Sequence, residues 1–290
     1  MVLSMKSEIR SRFVAVVNQK TSPSVTIPMA QLDLKQSHKA VETKLPIRRW
    51  SKWKEVVMFK DKSIPKIKIV KDGPYLVLGN ISMTKQTIMV DQKGRAVEWE
   101  EGDSYPKQLQ YALCSCGQSG NSPYCDGTHK KIRFDGTETA SRGNFLDKAE
   151  TIVGPDLILT DAQKLCALAR FCHRKEGEVW DLTEESDNPI SRASAIQGAW
   201  DCPAGRLIAW DKKSGQAIEP RYEPSIGIIE DPSKKVSGPI WVRGGTVIES
   251  SDGSQYAVRN QVTLCRCGQS KNKPFCDSRH VSIGYLAHKK

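Results

Sequence analysis

The sequence predicts a β-rich α+β protein in which one small module is written twice, with a shorter α+β segment between the copies. Three observations predict this. One arrangement of cysteine and histidine occurs twice at identical spacing, as Cys114, Cys116, Cys125 and His129, and again as Cys265, Cys267, Cys276 and His280. The apolar segments ahead of it recur as well: Gly73-Pro74 through Gly79 aligns with Gly238-Pro239 through Gly244, and Tyr111–Leu113 with Val262–Leu264. Residues 155–220, between the copies, lack the pattern and carry helical spacing instead. Self-similarity of this kind marks duplicated modules.

In chain order, residues 1–60 are a basic extension expected to be disordered, 65–150 the first module, 155–220 the insert and 222–290 the second module. Lys66-Ile67-Lys68-Ile69-Val70 alternates as a half-buried strand does. Each module continues with a strand or hairpin after its Gly-Pro pair, then a strand that runs into Cys-x-Cys. Asp252-Gly253 sits between short apolar stretches and predicts a hairpin turn. In the insert, Thr160-Asp161 is placed to cap a helix through Leu165, Leu168 and Phe171, and Ser191 to Trp200 predicts a second helix. A strand through Ile208, Ala209 and Trp210 follows Cys202-Pro203.

The 290 residues suffice for one large or two to three small domains. Of the net charge of +11, residues 1–57 supply +7, with eleven Lys/Arg against four Asp/Glu. A basic start of this kind fits a transit peptide, a solvated tail, or translation that begins at Met58. Trp50 and Trp53 among Arg48, Arg49, Lys52 and Lys54 make too small an aromatic–basic cluster for a nucleic-acid face, so no nucleic-acid partner is expected. No apolar run approaches the roughly 18 residues of a spanning helix, so no membrane association is expected. No secretory signal is visible. The expected location is cytoplasmic, or an organelle matrix if the extension is a transit peptide. No Ser-His-Asp set, phosphate-binding glycine loop or dinucleotide fingerprint points to substrate chemistry.

Three thiolates and one imidazole at fixed spacing form a metal-binding set. Zinc accepts the same donors, although its paired cysteines are usually two to four residues apart rather than one. A zinc-stapled interaction protein therefore stays open as an alternative. With Ser119, Pro123, Asp126, Gly127 and Thr128 in the first copy, and Ser270, Pro274 and Asp277 in the second, the motifs resemble the CDGSH iron–sulfur family. The second copy departs at Ser278 and Arg279, where the family has glycine and a small residue. That departure touches local geometry rather than ligation.

The resemblance implies one 2Fe–2S cluster on Cys114, Cys116, Cys125 and His129, and another on Cys265, Cys267, Cys276 and His280. Family members with a single motif pair as dimers, so this chain is expected to be a monomer whose two modules form a pseudo-dimer. Pairing would bury surface that neither small module buries alone.

The spacing suggests a division of labour. Cys114 and Cys116 are too close to span two irons easily and should share one. Cys125 and His129 are four apart, so a helical turn puts them on one face, to share the other. Cys265 with Cys267 and Cys276 with His280 follow suit. Asp126 is expected to cap that turn, and Ser119 to donate to a sulfur. Replacing a thiolate by neutral imidazole removes one negative charge and raises the potential above that of four-cysteine ferredoxins, as in Rieske centres. Arg279, a cation beside His280, is expected to raise the second site's potential above the first.

Nine cysteines less the six in the motifs leave Cys166, Cys172 and Cys202. With Trp180, and with Pro203 after the last of them, these resemble the divergent mono-cluster ferredoxins, which implies a third cluster, 4Fe–4S or 3Fe–4S, in a ferredoxin-like insert. Residues six apart on a continuous helix point about 240° apart, so Cys166 and Cys172 share a cluster only if the helix breaks between them. His173 is a candidate fourth ligand, though a solvated helix-end histidine is the expected reading, and buried free thiols of purely structural use are preferred to a third cluster. The expected function is one-electron transfer or redox sensing with a redox partner protein, and cluster storage or transfer is the alternative. An enzyme that relays electrons to a substrate would need a cofactor pocket.

Overall fold

The computed structural model describes residues 65–287. The basic extension, with Met58 and the Trp50/Trp53 cluster, lies outside the described residues. The first copy runs β1 (Lys66–Ile69), β2 (Tyr75–Leu78), β3 (Ser82–Val90), β4 (Ala96–Ser104), β5 (Gln110–Leu113) and the short helix α1 (Thr128–Lys131). The insert begins ahead of the expected residue 155, because β6 (Glu150–Val153) pairs antiparallel with β7 (Leu157–Asp161), and it continues through α2 (Val179–Glu184), α3 (Pro189–Trp200), β8 (Leu207–Asp211) and β9 (Ala217–Ile218). The second copy runs β10 (Ser225–Asp231), β11 (Val236–Arg243), β12 (Val247–Glu249), β13 (Gln261–Leu264) and α4 (Arg279–Ser282). The described residues are thus α+β and β-rich, with three sheets among them.

The two copies exchange a strand. One sheet has the order β12-β1-β2-β5, the second β13-β11-β10-β3-β4. The first copy lends β3, which pairs parallel with β10 from Ser82↔Ser225 onward. The second copy lends β12, which pairs parallel with β1 at Ile67↔Ile248. Alternation in β1 turns Ile67 and Ile69 inward, and these join Val77 and Leu113 from the first copy with Ile226, Ile240 and Leu264 from the second in one core. Burial of apolar area, the main favourable contribution to folding, is therefore shared between the copies. The free edge, β4, carries exposed Glu98, Glu100, Glu101 and Asp103, charges that discourage pairing with another strand.

The insert builds its own antiparallel sheet, β6-β7-β8-β9, with Leu157, Leu159 and Leu207 packed on Val179, Leu182 and Ala195 of the two helices. Helix α3 begins as its sequence dictates: the Asn188 side chain accepts from Ile190 N–H, and Pro189 occupies the first turn.

The helix expected through Leu165, Leu168 and Phe171 does not form. Strand pairing runs on to Asp161↔Leu207, and the Asp161 carboxylate expected as a cap accepts from Arg206 Nε (2.8 Å) and Trp180 Nε1 (3.0 Å). A single 3-10 turn, Gln163–Leu165, follows. Beyond it Leu168 and Arg170 take left-handed φ of 52° and 69°, which no α-helix accommodates. Arg170 is held there by both oxygens of Asp231, at the end of β10.

Candidate metal centres

Each ligand loop is closed by the strand that precedes it. At the end of β5, Cys114 N–H donates to Pro123 O (2.8 Å), and Cys125 N–H reaches back to Ala112 O (2.9 Å). The second copy repeats both bonds, Cys265 to Pro274 O at 2.8 Å and Cys276 to Thr263 O at 2.9 Å. The loop must therefore double back and set its third cysteine beside its first two. Ser119 serves this closure rather than a sulfur: its hydroxyl donates to Tyr124 O (2.6 Å) and accepts from Asn121 N–H (3.1 Å). Ser270 does the same with Phe275 O and Asn272 N–H. The part of Ser119 that favours the Cys114 thiolate is its backbone N–H.

Cysteine and histidine meet as the spacing requires, by a different route. The helix starts at Thr128, so Cys125 lies outside it, and the turn between them is made by Gly127 at φ 85°. Asp126 accepts from Thr128 N–H (2.9 Å) and, with its other oxygen, from Gly120 N–H (2.8 Å). These amides hold its carboxyl down to about 2. Where the second copy lacks glycine, Ser278 adopts the same left-handed conformation at φ 71°, so the departure from the family pattern leaves the turn intact.

The donors come in twos. Cys114 and Cys116 Sγ are 3.6 Å apart, and Cys125 Sγ is 3.2 Å from His129 Nδ1. In the second copy the corresponding distances are 3.8 Å and 3.5 Å. On one tetrahedral ion with metal–sulfur and metal–nitrogen bonds of roughly 2.3 and 2.0 Å, two sulfurs lie about 3.8 Å apart and a sulfur and nitrogen about 3.5 Å. Each pair therefore fits one metal ion, with Nδ1 as the histidine donor. Within each Cys-x-Cys pair, one thiol is held below its ordinary value by its neighbour's S–H: Cys114, to about 6, and Cys267.

The two sites touch. Gly117, at φ 75°, comes so close to the second loop that a Cβ on it would sit 2.5 Å from Cys267 O, and Gly268, at φ 76°, has the reciprocal relation to Cys116 O. Arg266, 1% exposed, bridges them. It donates to Glu230 Oε1 (2.8 Å) and Ile229 O (3.3 Å) on its own side, and to Ser122 Oγ (3.2 Å) in the first loop. Tyr75 of the first copy donates to Cys265 O (2.9 Å) and Pro274 O (3.3 Å) of the second. Sequence reading missed all of these contacts; only the glycine after each Cys-x-Cys gave a signal.

The insert cysteines are brought together. Cys166, Cys172 and Cys202 line one small cavity with Phe171, Pro203 and Arg206. Leu168 N–H points at Cys166 Sγ (3.4 Å), as Gly127 N–H does at Cys125 (3.5 Å) and Ser278 N–H at Cys276 (3.4 Å). Backbone N–H groups of Arg206 and Leu207 face Cys202, although burial still raises its thiol. Burial, reinforced by Cys202, pushes Cys172 up to about 12. Amides aimed at sulfur inside an apolar cavity suit a bound cluster, which would replace the protons. His173 is not among them: it is exposed and its Nδ1 pairs with Glu178 at 3.0 Å. The second site adjoins this cavity, because Cys276 packs with Ala167 and Ala204 beside Cys202.

A family model described as iron-binding zinc finger CDGSH type matches residues 72–130 and 237–281. One described as divergent 4Fe-4S mono-cluster matches residues 152–212. No curated protein and no solved structure matches. Two CDGSH-type segments thus flank a divergent mono-cluster segment, and the matches indicate an iron–sulfur-binding protein. Among the described residues, no helix is long and apolar enough to cross a membrane.

Proposed function

We propose that this chain, with two CDGSH-type segments around a divergent 4Fe–4S segment, is a one-electron carrier or redox sensor with three iron–sulfur centres in a row. Cys114, Cys116, Cys125 and His129 would hold one 2Fe–2S cluster; Cys265, Cys267, Cys276 and His280 would hold another. Cys166, Cys172 and Cys202 would hold a 4Fe–4S-type cluster. The observation that carries the reading is the arrangement of donors in twos at one-metal distances. A structural zinc needs four donors around one point, and among the described residues no three His, Cys, Asp or Glu side chains gather so.

When bound, the clusters supply reversible uptake of single electrons. The protein's part is placement and exclusion of water. The crossing of Gly117 and Gly268 sets the two CDGSH-type sites back to back, and Ala167 and Ala204 carry the row on to the insert. Cys125 is partly exposed whereas Cys276 is buried, so the first site is the port through which a redox partner would exchange electrons. We read the two modules as halves of an internal pseudo-dimer, supported by the reciprocal loan of β3 and β12. Handover of a whole cluster is the second reading, favoured by the exposure of the first site.

Anaerobic purification with iron, sulfide and zinc counts tests the proposal. The expected result is about four iron from the CDGSH-type sites and three or four more from the insert, with matching sulfide. The C166S/C172S/C202S variant should fall to about four iron. Stoichiometric zinc without sulfide overturns the reading.

A further inference from the structure

A cavity of about 250 Å³ opens where four parts of the chain meet: the linker after the first module, the turn after β7, the segment before β13, and the ligand loop of the second module. Phe145, Leu165 and Phe275 form apolar wall. Arg259 also lines it and is only 8% exposed. One guanidinium nitrogen donates to Ala204 O (3.1 Å), and the group lies over the rings of Phe145 and Phe275, 5.1 and 4.8 Å from their centroids. Among the described residues no carboxylate pairs with it; burial pulls it down to about 10, opposed only by Cys202. Asp161 lines the same cavity, but its oxygens are occupied by Arg206 and Trp180. Lys148 and Lys164 stand exposed at the mouth, with Glu150 as the opposing charge.

A buried cation without a counter-charge is unfavourable, and an apolar pocket with a few convergent charges at a junction of chain segments is the usual form of a ligand site. We propose that this cavity binds a small organic anion. One carboxylate or phosphate would pair with Arg259, Lys148 and Lys164 would draw it in, and an aromatic or branched body would lie against Phe145, Leu165 and Phe275. The volume is below the roughly 300–1,000 Å³ of most ligand pockets, which fits one ring and one acid group rather than a nucleotide. Occupancy would offset the charge of Arg259 beside Cys202 and disfavour reduction of the insert centre. That consequence rests on the iron–sulfur reading; the binding itself does not.

Titration calorimetry on the purified full chain, with iron counted in the same sample, tests the site. The probes are benzoate, phenyl phosphate, inorganic phosphate and the neutral benzyl alcohol. At least one aromatic anion should saturate a single site at least about tenfold more tightly than benzyl alcohol, the effect of one charge-assisted hydrogen bond. K148Q/K164Q, at exposed positions, should weaken the anion about threefold or more and leave benzyl alcohol unchanged. R259Q should abolish the preference; because it also removes a buried contact, the rim variant carries the test if R259Q fails to fold. Absence of saturable binding by both aromatic anions overturns the proposal. So does equal affinity for benzyl alcohol, which would make Cys202 a sufficient counter-charge, or inorganic phosphate binding as tightly as phenyl phosphate. Saturable anion binding by protein that carries no iron even after anaerobic purification would leave the anion site standing, and there the missing iron, not the binding, would overturn the iron–sulfur reading.

Discussion

In the first CDGSH-type site the residue between the leading cysteines is Ser115, whose hydroxyl donates to Gly73 O at 2.6 Å, and Cys125 is partly exposed. In the second site Arg266 takes that place, fully buried, and Cys276 is buried against the insert. The backbone paths agree: the same closing bonds, the same left-handed turn, the same donors in twos. Duplication has kept what ligation needs and changed what surrounds it. The first site keeps Cys125 partly exposed, and the second packs Cys276 beside the insert cysteine Cys202.

The largest effect should come from the glycines where the sites cross. Gly117→Ala or Gly268→Ala adds a Cβ 2.5 Å from a backbone carbonyl oxygen, at a positive φ. The left-handed conformation alone costs about 1–2 kcal/mol, and the overlap forces the loops apart. On the iron–sulfur reading proposed above, either change should lower iron at both CDGSH-type sites, read by iron counts and by a separate EPR signal from each site. Gly127→Ala, at φ 85° with nothing within 4 Å of its Cβ, should cost only the conformational part and act on the first site alone. Loss confined to the mutated site in all three variants would mean that the two loops do not depend on each other.

Next is the pH response of the buried site. Burial holds His280 down to about 4, with Asp231 and Asp277 pulling upward and Arg170 and Arg266 adding to the depression. The folded value lies below the unfolded one, so between them the folded chain binds fewer protons. Stability is then complete above about pH 6.5 and is lost as pH falls toward the folded value. A shift of this size corresponds to about 3 kcal/mol in the metal-free chain. Urea unfolding of metal-free protein between pH 7 and 4.5 should show this slope, and His280→Gln should flatten it. An unchanged slope in the variant would show that His280 is better solvated than its neighbours imply.

Much of this was legible in the residues. Alternation in Lys66–Val70 and the strands leading to Cys114 and Cys265 reported local geometry, which sequence encodes directly. The exchange of β3 and β12 was not legible, because an apolar strand declares which face it buries and not which copy it joins. Leu165, Leu168 and Phe171 have helical spacing, yet ladder pairing through Asp161 and the hold of Asp231 on Arg170 override it. That override brings Cys166 and Cys172 to one cavity, where a helix would have turned them apart. Arg279 adjoins His280 in sequence and was expected to set the second site's charge. Arg266 is a second cation beside that site, one that only the tertiary fold buries.

Potentials sharpen this last point. Arg279 is partly exposed and lies 3.5 Å from Asp277, so water and a carboxylate offset it. Arg266 is 1% exposed, pairs with a part-exposed Glu230 and sits between Cys265 and Cys267. A buried cation there favours the reduced, more negative state by on the order of 1–2 kcal/mol, roughly 50–100 mV for one electron. The second cluster should therefore have the higher potential. Arg266→Gln should lower it by about that amount, and Arg279→Ala by much less. An EPR-monitored redox titration reads both; equal potentials in the two sites would remove charge as the way they differ.

The smallest expected effect concerns Tyr75, a first-copy side chain whose hydroxyl donates to two carbonyls of the second ligand loop. It is 3% exposed and donates to Cys265 O and Pro274 O. Burial, and then Cys265, raises its hydroxyl well above the ordinary value, so it stays a donor across the working pH range. The aligned position in the second copy is Ile240, which offers the first loop no such donor. Tyr75→Phe keeps the ring and leaves two carbonyls with one partner fewer, a loss of about 1 kcal/mol. The second cluster should then be released faster on mild heating while the first is unchanged. Tyr111→Phe is the control: its hydroxyl donates to Ile81 O at 2.9 Å, a partner in neither ligand loop. It should cost similar stability with no preference between sites. If Tyr75→Phe accelerates both releases equally, the hydroxyl supports the shared core rather than the second loop, and the asymmetry between the sites rests on Arg266 and burial alone.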